Sequence, residues 1–598
     1  MRYCSHASTR VLAPLHRCRF LVLCWVLLAP ATLLAASGPE TYGAGGVVAS
    51  RSALASAVGA RILEAGGNAI DATVATGFAL AVTHPSAGNL GGGGFLVIRL
   101  ADGTTITNDH RERAPRGASR DMFLGEDGQA LPELSRESHL ASGVPGTVDG
   151  LLAALDRFGT MSLAEVIQPA IELAEQGFEL PRDLAKALER RLPQFAAYPA
   201  SKAQFSRDGE PYAEGDRFTQ PDLAASLKRI RDQGRAGFYA GKTAELIEAE
   251  MTRGGGLITR QDLAEYRSVW REPIIGTYRD HQIISMPPPS SGGVLLVQML
   301  NMLEAEPLAD LGFGSAATVH RMIEAERRAY ADRAEHLGDP DYFPVPIEWL
   351  TSKDYARERF STFDPDKATP SEMIEAGSWP EESPETTHAS VMDAAGNAVS
   401  YTTTLNRSYG SKIVVAGAGF LLNNEMDDFS SKPNTPNTYG LLGREANAIA
   451  PGKRMLSSMT PTIVVKDGEP LLVTGSPGGS TIITTTLQVV LNVIDHGMDL
   501  SDAVGKPRFH HQWFPDRVIY EPYGLSPDSL NQLQAMGHRD LTVTPWGIWD
   551  SSIGDANSVM QRDGEIMGMS DPRNAGGAVG VRTAPEPASE DTEAKGKK

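Results

Sequence analysis

Cysteine is almost missing from this chain. Only Cys4, Cys18 and Cys24 occur in 598 residues, all close to the N-terminus, so everything downstream must manage without disulfides or thiol chemistry. Positive charge is also in deficit. The 55 Lys and Arg stand against 74 Asp and Glu, a formal charge of -19 that argues against a nucleic-acid partner. Several catalytic signatures are missing too. No HExxH helix is present, which disfavours a zinc protease, and Gly241-Lys242-Thr243 has Ala236 where a P-loop needs its first glycine. A GxSxG elbow is absent as well, because Gly475-Ser476-Pro477-Gly478-Gly479 places its serine one position too early.

Acidic residues are missing from the start of the chain, where the first is Glu40. Arg2, Arg10, Arg17 and Arg19 precede an apolar run from Phe20 to about Ala36 that ends in small residues. This pattern is a secretory signal peptide over residues 1–36, with cleavage and export to the periplasm or the medium as its consequence. The run is short for a membrane span and is interrupted by Pro30, and no lipobox-like cysteine follows it, so no stable membrane anchor is expected. Losing its four arginines takes the net charge from -19 to -23.

What is present reads as one large layered protein, with 41% hydrophobic residues to build its core. A short strand and two apolar helical stretches fill Val47 to Val82. Phe95-Leu96-Val97-Ile98 and Thr104-Thr105-Ile106-Thr107 then form a hairpin around Asp102-Gly103. From about Thr147 to Gln298 the spacing is mainly helical. Between Arg359 and Glu385 apolar residues thin out into Pro, Ser, Glu and Asp, as in an exposed, mobile connector. Strands resume at Thr386, with one hairpin through Asp393-Ala394-Ala395-Gly396-Asn397 and a second around Asp467-Gly468. A long apolar helix then runs to about His496, and the tail 583–598 has a disordered composition. Hairpins in both halves with helices between them suggest sheets covered by helices.

A threonine at the junction of connector and strand, in Glu385-Thr386-Thr387-His388, is by itself only a strand start. Its company changes that. Asn89-Leu90-Gly91-Gly92-Gly93-Gly94-Phe95, Arg111-Glu112-Arg113-Ala114-Pro115, Thr404-Leu405-Asn406, Asn423-Asn424-Glu425-Met426-Asp427-Asp428-Phe429, Pro451-Gly452-Lys453-Arg454, Leu456-Ser457-Ser458-Met459 and Gly475-Ser476-Pro477-Gly478-Gly479 follow one another in order. With this series the chain resembles the gamma-glutamyltransferases over nearly its whole length after the leader.

The resemblance implies an α+β fold, a four-layer αββα sandwich of the N-terminal-nucleophile hydrolase type. It also implies self-cleavage between Glu385 and Thr386, giving a heterodimer of a large subunit (37–385) and a small one (386–598) that share one αββα unit. Thr386 would be the nucleophile and Thr404 would position its hydroxyl. Arg111, with Ser457 and Ser458, would take the substrate α-carboxylate, and Asn406, Glu425 and Asp428 the α-ammonium; Asp427 stays outside this set. Tyr439 would be the aromatic residue of a lid. Gly478 and Gly479 stand where a strand gives way to a helix and suit an oxyanion hole.

The reaction so implied moves the gamma-glutamyl group of glutathione and related amides to water, an amino acid or a dipeptide, without metal or organic cofactor. Two alternatives stand beside it. One is a cephalosporin or glutaryl acylase of the same superfamily, against which Glu425 and Asp428 argue; the other is an unprocessed periplasmic amino-acid-binding homologue.

Overall fold

The computed structural model describes residues 40–375, 386–432, 444–544 and 552–582. The expected signal peptide, Glu385, Tyr439 and the tail 583–598 lie outside the described residues. Fourteen strands build two seven-stranded sheets. In chain order they are β1 (Thr41–Tyr42), β2 (Gly46–Ser50), β3 (Gly93–Arg99), β4 (Thr105–His110), β5 (Val269–Arg271), β6 (Ile274–Tyr278) and β7 (His281–Ser285). After Thr386 come β8 (Thr387–Asp393), β9 (Ala398–Thr404), β10 (Thr462–Lys466), β11 (Glu469–Thr474), β12 (Ser558–Arg562), β13 (Glu565–Met569) and β14 (Gly577–Val581). The first sheet runs β14-β2-β8-β9-β3-β4-β5 and the second β1-β13-β12-β11-β10-β7-β6.

Alternation along the strands builds the layers. Val47, Ala49, Phe95 and Val97 of the first sheet meet Ile284, Ile463 and Val473 of the second in an apolar inter-sheet layer. Their neighbours Val48, Leu96, Ile98 and Val399 point the other way, into the core beneath the helices. A strand buried on both faces needs apolar residues at consecutive positions, which is why Phe95-Leu96-Val97-Ile98 is unbroken. Helices α1 (Ala53–Glu64), α2 (Ala69–Thr83) and α3 (Thr147–Phe158) pack on the first sheet, and α4 (Arg182–Phe195) lies farther along the chain. The second sheet is covered by α5 (Gly292–Leu303), against which α6 (Ala316–His336) and α7 (Thr481–Ile494) pack. This is the expected four-layer αββα sandwich.

The hairpin turns follow from local chemistry. Asp467 and Gly468, at φ 52° and 85°, form the left-handed pair that a two-residue hairpin with right-twisted strands requires. Both sheets draw strands from either side of Thr386, so a cut there would separate covalent halves of one core rather than two domains.

The segment read as mainly helical is so, but it also contains the short strands β5, β6 and β7; Ile283 and Ile284 there are buried strand residues. One expectation needs correction. The connector read as mobile from Arg359 is ordered as far as residue 375. Its backbone is held by polar side chains: Thr369 N–H donates to Glu324 Oε1 at 3.0 Å, Ser371 N–H to Asp516 Oδ2 at 2.9 Å, and Trp513 Nε1–H to the Ser371 carbonyl at 3.0 Å. Low apolar content misleads here because the anchoring is polar.

Candidate active site

Thr386 directly precedes β8, one of the two central strands of the first sheet. Strand β8 pairs antiparallel with β9 so that Thr387 faces Thr403, and the same register carries Thr386 to a position opposite Thr404. Cross-strand neighbours have Cβ atoms about 5 Å apart, within reach of a hydroxyl-to-hydroxyl contact. Thr404 in turn pairs with Gly93 of β3, and its Oγ1 accepts the Asn406 amide N–H at 2.8 Å. Asn406 sits at φ 72° and donates from Nδ2 to the Asn424 carbonyl at 2.9 Å, tying the end of β9 to the acidic turn that follows. Near Thr386 the inter-sheet layer turns from apolar to polar. His388, neutral because burial lowers its pKa to about 3, lies 2.9 Å from Thr402 Oγ1 and 3.0 Å from Ser390 Oγ.

Two cavities meet at Thr386. The smaller, inner one is lined by Arg111, Thr404, Asn406, Glu425, Asp428, Ser457, Ser458 and Gly479 together with Thr386 itself. Nearly every substrate-binding and catalytic residue expected from the sequence therefore converges on one small volume. The outer cavity is larger and reaches Thr386 from the side of Gly478. Gly478 and Gly479 thus flank the nucleophile at the mouth of α7. Their φ values of 132° and 57° fall in the left-handed region, and a Cβ on Gly478 would lie 2.3 Å from Thr481 Oγ1.

Arg111 dominates the electrostatics of the inner cavity. It follows β4 and is fully buried, and its carrier backbone is held by Tyr266, whose hydroxyl donates to the Arg111 carbonyl at 2.8 Å. Its guanidinium bonds Glu425, reaches Asp428 Oδ2 at 2.5 Å and lies 3.5 Å from Glu112 Oε2. It also donates to the carbonyls of Met455 and Leu456, each at 3.3 Å. The sequence expectation put Arg111 on one end of a substrate and Glu425 and Asp428 on the other. In the structure these opposite ends touch each other directly. Three carboxylates share one guanidinium, and the imbalance shows: burial raises Glu425 well above the usual carboxylate range, Glu112 to about 7 and Asp428 to about 6, each against the pull of Arg111. Glu425 Oε2 and both carboxylate oxygens of Glu112 have no hydrogen-bond partner among the described residues. Burial opposes the charge of Arg111, yet the three carboxylates hold its pKa above the ordinary value.

Ser457 and Ser458 are positioned by the second sheet's side of the site. Ser457 Oγ accepts the Met459 amide at 3.1 Å and its carbonyl accepts Ser291 N–H at 2.8 Å. Ser458 Oγ accepts Arg333 Nη2–H at 3.2 Å, and Arg333 Nε–H donates to Ser291 Oγ at 2.9 Å. Arg333 lines the inner cavity as a second guanidinium that sequence reading missed. It lies on α6, whose charges look like a solvated face but are largely buried. Asp427, left out of the expected set, turns away to bond Ser135 and to approach Arg136 at 3.5 Å.

Comparison with known proteins agrees with this geometry. The family model described as Gamma-glutamyltranspeptidase matches residues 55–581. The glutathione hydrolase proenzyme of Escherichia coli K12 is 52% identical over 535 residues, covering 88% of this chain and 90% of the relative. Among solved structures, a cephalosporin acylase from Bacillus halodurans superposes with a TM-score of 0.79 at 26% identity, covering 91% of this chain and 97% of its own. The Helicobacter pylori gamma-glutamyltranspeptidase is 49% identical with a TM-score of 0.54, covering 54% of this chain and 93% of that chain. Among the described residues, no helix is long and apolar enough to cross a membrane.

Proposed function

The chain belongs to the gamma-glutamyltranspeptidase family, and from that premise we propose that it is a self-processing gamma-glutamyltransferase and glutathione hydrolase whose nucleophile is Thr386. One observation carries the reading: Thr386 stands opposite Thr404 at the edge of a small cavity where Arg111 is bonded directly by Glu425 and Asp428. A gamma-glutamyl substrate brings an ammonium for Glu425, Asp428 and Asn406. It also brings a carboxylate that can draw Arg111 away from them into a bidentate pair, with Ser457 and Ser458 as hydroxyl donors.

The chemistry proceeds in two rounds on the same oxygen. In the precursor the Thr386 hydroxyl attacks the Glu385 carbonyl and forms an ester as the Glu385–Thr386 C–N bond breaks and the nitrogen takes the proton. Water hydrolyses the ester, leaving a carboxylate on Glu385 and a free α-amine on Thr386. An unperturbed α-amine has a pKa of about 7.7 to 8.0, so near neutral pH it can take the proton of its own hydroxyl. Round two repeats the attack on the γ-carbonyl of the substrate. The departing amine takes the proton, the gamma-glutamyl ester remains on Thr386, and water or an acceptor amine releases it. Amides of Gly478 and Gly479 face the developing oxyanion in both rounds; one such donor is typically worth about 100 to 1,000-fold in rate.

The cut divides the chain into 37–385 and 386–598, and the leader directs export to the periplasm or the medium. Glutathione and related amides are the donors, and amino acids or dipeptides the acceptors. A glutaryl acylase would need the same nucleophile but bring no ammonium, leaving Glu425 and Asp428 buried without a cation. The deciding experiment compares nitroaniline release from gamma-glutamyl and glutaryl anilides. Preference for gamma-glutamyl supports the proposal; preference for glutaryl overturns it in favour of an acylase.

A further inference from the structure

Two buried asparagines behind the inner cavity, Asn89 and Asn423, each use both ends of their amide. Asn89 Nδ2–H donates to the carbonyls of Ala87 and Thr404, each at 2.8 Å, while its Oδ1 accepts Gly92 N–H at 2.9 Å and the Thr147 hydroxyl at 2.7 Å. Asn423 Nδ2–H donates to the carbonyls of Gly91 and Gly143, each at 2.8 Å, and its Oδ1 accepts the amides of Gly143 at 2.8 Å and Glu425 at 3.0 Å. A primary amide has two donor hydrogens and an oxygen with two lone pairs, so both side chains are saturated. Both grip the glycine-rich loop before β3, Asn89 at Gly92 and Asn423 at Gly91. Glycine is required there because backbones meet: a Cβ on Gly92 would lie 2.1 Å from the Thr404 carbonyl oxygen, and one on Gly91 2.1 Å from that of Leu421.

From that shared loop the two side chains reach different parts of the site. Asn89 fixes the carbonyl of Thr404, the residue opposite Thr386 at the end of β9. Asn423 fixes the amide of Glu425, where the acidic turn begins. Each also bonds residues on both sides of Thr386 in sequence, so its grip survives a cut there. Neither lines the inner cavity, so each acts through the residue that it holds. Resting on the gamma-glutamyl reading, we propose that Asn89 and Asn423 are positioning residues with separate duties. Asn89 sets the Thr404 hydroxyl against Thr386 and governs the rate of bond making; Asn423 sets Glu425 against the substrate ammonium and governs affinity. Rate is the more sensitive of the two, since misplacing a reacting group by about 1 Å can cost on the order of 100-fold.

The test separates rate from affinity. For each full-length variant, acylation is read from pre-steady-state nitroaniline release at saturating gamma-glutamyl anilide, and affinity from calorimetric binding of L-glutamate. Asn89→Ala should slow acylation about 100-fold while the glutamate Kd stays within about twofold of wild type. Self-cleavage uses the same hydroxyl and should slow with it; an Asn89→Ala chain that stays whole while Asn423→Ala is cut supports the same division. Asn423→Ala should weaken glutamate binding about tenfold, with acylation at saturation within about threefold of wild type. Where an alanine variant does not fold, a neighbouring hydroxyl decides. Thr147→Val removes a donor to Asn89, and Ser142→Ala removes the hydroxyl that donates to the Asn423 carbonyl at 2.8 Å; each should show its asparagine's split on a smaller scale. Rate and affinity lost in equal measure from both sides, or neither changed in folded variants, overturns the division of duties while leaving the gamma-glutamyl reading intact. Wild-type enzyme that neither cuts itself nor releases nitroaniline overturns that parent reading, and the proposal with it.

Discussion

Arg111 and Arg327 are both fully buried and both surrounded by carboxylates, yet their surroundings obey opposite accounting. Around Arg327, on α6, charges balance. Glu324 bonds both Arg327 and Arg328, and Asp516 lies 2.9 Å from Arg327. Each carboxylate also accepts a backbone amide, Thr369 N–H on Glu324 and Ser371 N–H on Asp516. Burial opposes the ionised forms there, but the arginines pull Glu324 below the usual range, and His511 with Arg327 does the same for Asp516. Around Arg111 one guanidinium is shared by three carboxylates with Arg333 as a more distant second cation, three carboxylate oxygens have no hydrogen-bond partner among the described residues, and all three acids are raised. Saturated, the first cluster needs nothing more and pins the segment before the cleavage site onto the other half of the core. With all three acids raised by burial and three of their oxygens unbonded among the described residues, the second is the kind of perturbed cluster expected at a binding site.

Breaking the second cluster should cost catalysis most. Arg111→Gln is expected to lower kcat/KM for a gamma-glutamyl anilide on the order of 1,000-fold, because the partner carboxylates stay buried and the substrate carboxylate loses its fork. Steady-state kinetics on the processed enzyme would check it. Breaking the first should cost stability instead. Arg327→Ala leaves Glu324 and Asp516 short of a partner and is expected to destabilise the protein by about 3 to 5 kcal/mol in denaturant titration, with KM close to that of the wild type. A variant in which both arginines gave the same loss of activity at equal stability would erase the contrast.

Glu425→Gln sharpens it. The amide keeps the shape but removes a charge meant for the ammonium, so KM for the gamma-glutamyl anilide should rise about tenfold while glutaryl anilide suffers less. The smallest effect is in pH. Glu324 and Asp516 titrate below their ordinary values, so their contribution to stability is complete above about pH 5 and is lost as acid protonates them. Glu112 and Asp428 titrate above theirs, at about 7 and 6, so their contribution is present in acid and lost as pH rises through that range. Deprotonated, they are the better partners for an ammonium. Calorimetric binding of L-glutamate should therefore tighten a few-fold between about pH 5.5 and 7.5; affinity that weakens over that interval would contradict the proposed ammonium pocket.

The site was largely legible because its residues are carried by short motifs. The register of β8 and β9 then explains why Thr386 and Thr404, eighteen positions apart, belong together. Arg333 was not legible. On α6 its spacing matches a solvated face, and only the packing of α6 against α5 and other helices buries those charges. The strands β5 to β7 were absorbed into a helical region because they are short, and the order of residues 359–375 was invisible because it rests on backbone bonds to distant carboxylates. Direct contact between Arg111 and the two acids was likewise beyond sequence, since a list of substrate ligands does not say what they do when no substrate is bound.

All of these roles depend on Thr386 becoming a chain terminus. Intact-mass measurement of purified precursor incubated at neutral pH, beside Thr386→Ala, tests this most directly. Wild-type protein should resolve into two chains, one beginning at Thr386, while the alanine variant stays whole and releases no nitroaniline. A wild-type chain that stays whole, or is cut elsewhere, while still turning over gamma-glutamyl anilide would contradict the assignment of Thr386.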